Sequence, residues 1–232
     1  RVFALTLGPT TYAFSTMLAT CILGLAAGAW LATQWLPRLR RPVTALAVTQ
    51  IVAALGAFFA AALVPRLPAF VASLVASPHQ FGWTLGIEIL LIAILLLPMT
   101  LPLGAAFPFA VATATPNAGD TVREASRVYT ANTLGAIGGA LTGGFVLIPQ
   151  FGLKRTITFA GLLGVLAGVE LIWRTRRRGK SRVWVPLLGG VTALLGISLP
   201  SWDTLQLTSG AYRMAAGTLA DVPYGLEAGG LL

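Results

Sequence analysis

Long apolar runs separated by short basic loops constrain this chain more than any other feature. A run of about 20 apolar residues crosses the ~30 Å hydrocarbon core of a bilayer as a helix. In lipid only helices and closed barrels satisfy every backbone donor and acceptor. Such runs cover residues 11–35, 43–64, 84–115, 126–148, 157–173 and 183–199. The predicted fold is therefore all-α. It is a polytopic integral membrane bundle of about six transmembrane helices over residues 1–200, with an extramembrane tail at 201–232. Charged residues make up only 10% of the chain, against about 25% in ordinary soluble domains. The lipid bilayer is thus the first expected partner.

The third run contains Pro98, Pro102 and Pro108. Proline lacks a backbone donor and disrupts the helical ladder, so a kinked or broken helix is predicted there. Residues 65–83 hold Pro65, Pro68 and Pro78 with Arg66 and His79, and their apolar stretch at 69–76 is too short to cross. An interfacial segment is predicted for them. Residues 116–120, Pro-Asn-Ala-Gly-Asp, read as a turn.

The net charge is +9, yet no nucleic-acid partner follows, because the basic residues sit in short loops where they set orientation. The loops after the first, third and fifth runs carry Arg38, Arg40, Arg41, Arg123, Arg127, Arg174, Arg176, Arg177, Arg178, Lys180 and Arg182. The opposite side holds Arg66, Lys154 and Arg155. The positive-inside rule predicts a multi-pass protein of the inner (plasma) membrane with loops 36–42, 116–127 and 174–182 in the cytoplasm. The tail after Pro200 then falls on the far side.

Chemistry-bearing residues are sparse. There is one cysteine, Cys21, inside an apolar run, and one histidine, His79. No metal cluster and no internal disulfide can be built from these, and no phosphate-binding loop, nucleophile elbow or dinucleotide fingerprint is present. No catalytic residue, metal site or cofactor is assigned to this chain. The intramembrane polar candidates are Glu88, one turn inside the third run, Asn132 and Tyr129 at the start of the fourth, and Gln50 in the second. Carboxylates in a membrane are costly and are functional candidates by default, whereas amides commonly bond between helices. Glu170 and Arg174 are spaced for an ordinary i,i+4 ion pair.

Glycines recur at four-residue spacing: Gly24 and Gly28, then Gly135, Gly139 and Gly143, then Gly164 and Gly168. This spacing lines one helix face with small residues and lets backbones approach closely. The faces are predicted to pack helices, within the chain or against other membrane subunits.

Several stretches together resemble the membrane portion of fused MFS/spermidine synthase-like proteins. They are Gly8-Pro9-Thr10-Thr11-Tyr12-Ala13-Phe14, Gly24-Leu25-Ala26-Ala27-Gly28, Leu103-Gly104-Ala105-Ala106-Phe107-Pro108, Tyr129-Thr130-Ala131-Asn132-Thr133-Leu134-Gly135-Ala136 and Pro149-Gln150-Phe151-Gly152-Leu153. Pro200-Ser201-Trp202-Asp203 and Leu207-Thr208-Ser209-Gly210-Ala211-Tyr212-Arg213 resemble the junction to the synthase-like domain. The resemblance implies a transporter-like membrane half, a further span before Arg1, and an aminopropyltransferase-like domain after Leu232 that carries the catalytic residues. A polyamine synthase would use a cytoplasmic nucleotide substrate, whereas the charge pattern places the tail on the other side. Either the crossing count differs by one, at the third run, or the attached domain is extracytoplasmic. The function expected for these residues is a non-catalytic anchor or scaffold. The alternatives are a transporter-like unit for a small solute and an accessory structural subunit of a larger complex.

Overall fold

The computed structural model describes residues 11–67, 81–115, 121–174, 181–199 and Trp202. The predicted interfacial segment beyond Leu67, the turn at 116–120, most of the 174–182 loop and the tail lie outside the described residues. Six α-helices occur among the described residues: α1 (Thr11–Trp35), α2 (Pro42–Leu63), α3 (Phe81–Ala114), α4 (Thr121–Leu141), α5 (Ile148–Arg174) and α6 (Ser181–Ile197). Short 3-10 turns, Leu36–Arg38 and Val64–Arg66, follow α1 and α2, and a π-helical stretch, Thr142–Leu147, joins α4 to α5. No strand occurs among the described residues.

Four helical stretches are long and apolar enough to cross a membrane: Phe14–Arg38, Pro42–Arg66, Ile89–Ala114 and Val122–Arg174, with a shorter apolar helix at Val183–Ile197. Large apolar side chains face outward on every helix, among them Leu23 at 66% exposure, Trp30 at 62% and Phe145 at 77%. Soluble monomers rarely expose apolar surface on this scale. These helices mark a membrane protein.

The chain divides into two compact units. The smaller takes in Arg1–Thr16, Leu63–Leu91 and Trp202–Leu232; among its described residues Val64 and Leu67 are buried. The larger, Met17–Ala62 with Ile92–Ser201, holds the remaining structure discussed below.

In the larger unit α2 carries the longest run of buried residues, although Val52 and Phe59 on it remain exposed. Leu46, Ala47, Ile51, Ala53, Ala54, Gly56, Phe58 and Ala61 are buried along it. One of its faces packs Leu46 with Ala32 of α1 and Phe109 of α3. Another packs Ala47 and Ile51 with Ile172 of α5 and Val185 of α6.

Of the kinked or broken helix predicted for the third run, the break does not occur: α3 continues as one helix through Pro98, Pro102 and Pro108. A proline in a membrane helix persists when its freed carbonyl meets another partner. Pro102 has no N–H to give the Pro98 carbonyl, and Gly56 of α2 lies against that carbonyl. A Cβ at Gly56 would come within 2.5 Å of Pro98 C and 2.7 Å of Met99 N, so only glycine admits this contact.

Within α5, Gly152 has φ 77° and ψ 166°, a conformation open essentially to glycine alone. It interrupts the helical ladder three residues after Pro149. Gly152→Ala should cost about 1–3 kcal/mol of stability, read from thermal unfolding in detergent. An unchanged midpoint would mean the backbone relaxes to a different dihedral.

Candidate functional site

The polar candidates are spread over three helices. Gln50 is half-buried on α2, where its backbone carbonyl lies 3.6 Å from a Cβ built on Gly164 of α5. Tyr129 and Asn132 are exposed on α4. Tyr129 meets Phe107 of α3 edge-on, with ring centroids 6.5 Å apart and planes at 86°. Glu88 belongs to α3, but its side chain lies outside the described residues.

Of the buried threonines Thr20, Thr100 and Thr192, the last two direct their hydroxyls back into their own helices. Thr100 donates to the Leu96 carbonyl at 3.0 Å, and Thr192 donates to the Leu188 carbonyl at 2.8 Å. Back-bonding of this kind satisfies the donor locally. The described residues hold no group of three or more His, Cys, Asp or Glu that could share a metal ion.

The ion pair predicted between Glu170 and Arg174 forms, with Arg174 Nε donating to Glu170 Oε1 at 2.6 Å. Both side chains are more than half exposed, so the pair contributes little. Glu170→Gln should change stability by less than about 0.5 kcal/mol in the same unfolding assay. A second pair, Arg127 to Glu124 at 2.6 Å, lies in the first turns of α4.

Close helix packing is the best-defined local geometry in the larger unit, and glycine makes it possible. Gly24 and Gly28 of α1 face α3: a Cβ at Gly24 would come within 2.8 Å of Thr100 Cβ, and one at Gly28 within 2.9 Å of the Leu101 carbonyl carbon. From the other side, a Cβ at Gly104 would come within 2.7 Å of Leu25 Cα. The seam is reciprocal, with each helix setting a glycine against the other's backbone carbonyl, the arrangement in which Cα–H···O contacts form.

On α5, Gly161 and Gly168 meet α2. A Cβ at Gly168 would come within 2.7 Å of the Ala47 carbonyl, while one at Gly161 would meet Phe58 Cζ at 2.5 Å. Gly164, between them, is in ordinary contact. On α6, Gly189 lies against Val165 and Val169, and Gly196 against the Phe58 ring. Phe58, 2% exposed, thus fits between two glycines from different helices.

The glycines of α4 differ. A Cβ at Gly135 or Gly139, or at Gly143 in the π-helical stretch that follows, would meet nothing within 4 Å, and no residue of Val122–Leu147 is buried.

Gly56, Gly104, Gly161, Gly189 and Gly196 were not singled out by four-residue spacing. Gly161 and Gly189 each have a glycine seven residues on, two helical turns away on the same face, and that longer spacing is the signal that finds them. Gly56 is isolated in its helix, and nothing in its own sequence surroundings points to the Pro98 carbonyl.

Comparison of the chain with protein-family models, with curated proteins and with solved structures finds no match.

Proposed function

We propose that these residues form a non-catalytic membrane scaffold, the membrane-embedded portion of a spermidine synthase-like fusion protein that anchors an enzyme domain. The observation that carries the scaffold reading is the reciprocal seam between α1 and α3, where Gly28 and Gly104 set backbone against backbone. Such contact leaves no room for a solute path between those helices. The separation of Gln50 from Tyr129 and Asn132 on different elements also favours a scaffold over a carrier. The fusion itself rests on the resemblance of the quoted motifs.

Six crossings belong to the same reading. The apolar stretch Val122–Arg174 has 53 residues and as one straight helix would reach about 80 Å, far beyond the ~30 Å core. A reversal near Gly152 would divide it into two crossings, residues 122–151 and 153–174. Loops 36–42, 116–127 and 174–182 then share the cytoplasmic face of an inner membrane. Contact with other subunits falls to α4, whose glycine face is open, whereas the glycines of α1 and α5 serve packing within the chain.

Intact mass and peptide mapping of the natural gene product test the fusion. A mass well above 24.2 kDa, with peptides past Leu232 that carry a glycine-rich nucleotide loop, is expected. A product without such peptides would refute it.

A further inference from the structure

A groove of about 650 Å³ runs where the start of α5 meets the end of α6, within the size range of small-molecule sites. Its wall is apolar, built from Phe151, Phe159, Leu162 and Ile197, and its polar end carries Lys154 and Arg155. The non-helical dihedral at Gly152 makes Leu153, Lys154 and Arg155 the first turn of the helix that follows. The amides of a first turn lack intrahelical acceptors and favour negative charge.

The two basic side chains have no carboxylate partner among the described residues. Glu124 and Glu170, the two described carboxylates, are engaged by Arg127 and Arg174. Lys154 Nζ donates one hydrogen bond to the Leu199 carbonyl at 2.9 Å, which fixes the ammonium at the groove and leaves two of its donors for another acceptor. The Thr156 and Thr158 hydroxyls donate to the Gly152 and Lys154 carbonyls, so the charge that faces the groove comes from Lys154 and Arg155.

We infer that this groove is a binding site for an anionic phospholipid, with the phosphate held by Lys154 and Arg155 and an acyl chain lying along Phe151, Phe159 and Leu162. The inference rests on the membrane reading above but not on the fusion. Charge complementarity selects an anion, and the apolar wall selects one with a hydrocarbon tail. Two basic residues on the side of the membrane otherwise poor in them have no topological use, which a lipid headgroup supplies.

Native mass spectrometry of the full chain in detergent, titrated with phosphatidylglycerol and with phosphatidylcholine, tests it. A preference for phosphatidylglycerol of roughly tenfold or more is expected from two basic contacts to an anionic lipid. Lys154→Gln with Arg155→Gln should abolish the preference. Arg155→Gln alone should lower it and leave the Lys154 bond to the Leu199 carbonyl intact. Arg174→Gln, whose guanidinium is engaged by Glu170, should leave it unchanged.

Retention of the preference in the double variant would overturn the site. So would competition by glycerol phosphate as effective as the intact lipid, because the apolar wall would then contribute nothing. Vesicle flotation separates the two readings: a chain that does not float contradicts membrane embedding and the lipid site with it.

Discussion

Replacing Gly28 by alanine should destabilise the folded chain by about 2–3 kcal/mol, the upper part of the range for overpacking. The added Cβ would overlap the Leu101 carbonyl and come within 2.9 Å of its carbon. Backbone cannot rotate aside as a side chain can, so α1 and α3 must separate along the seam. Gly104→Ala should cost a similar amount, because its Cβ meets the backbone of Leu25.

Gly24→Ala differs in mechanism, since its obstacle is the Thr100 side chain. Thr100→Gly should therefore restore part of the stability lost at Gly24 and none of that lost at Gly28. Gly135→Ala and Gly139→Ala, with open space around each Cβ, should stay within about 0.5 kcal/mol of the parent. Unfolding in mixed detergent reads all five variants. Equal losses at Gly28 and Gly135 would contradict the packing described above.

Phe58→Ala should cost about 3 kcal/mol, the lower end of the range for buried aromatic truncation. The lower end applies because lipid tails are as apolar as the core, so the loss is of packing more than of transfer from water. The ring fills the space left by Gly161 and Gly196, and its removal opens a cavity shared by α2, α5 and α6. Gly161→Ala should destabilise the parent, since its Cβ would meet Phe58 Cζ at 2.5 Å, yet be neutral or stabilising beside Phe58→Ala. That change of sign is the signature of direct contact in a double-mutant cycle. Additive effects would mean the ring does not sit between these helices.

The first two helices were legible in the sequence because apolar length and basic punctuation dictate them, whereas the separate fourth and fifth runs at 126–148 and 157–173 lie in one helical stretch, Val122–Arg174, with no basic loop between them. The first run at 11–35 has the same bounds as α1, and the second differs from α2 by one residue at each end. The prolines of α3 were legible as residues, but not that the helix continues through them, nor that Gly56, some forty residues earlier, lies against the Pro98 carbonyl. Glycine spacing indicated which faces could admit a neighbour. It could not distinguish Gly24 and Gly28, which have one, from Gly135, Gly139 and Gly143, which do not, because that depends on which helices cross. The left-handed dihedral at Gly152 was likewise hidden, although a glycine after Pro149 is where a chain can turn. Lys154 and Arg155 were read as topological charges. The groove beside them needs α6 brought against α5, a contact far apart in sequence.

The proposed topology requires a reversal near Gly152, and single-cysteine labelling in sealed vesicles of known orientation tests it most directly. In a Cys21→Ala background, Arg40→Cys and Arg178→Cys should react with a membrane-impermeant maleimide from the cytoplasmic side, and Arg155→Cys from the opposite side. Reaction of Arg155→Cys and Arg178→Cys from the same side would contradict the crossing by α5 and with it the six-helix arrangement.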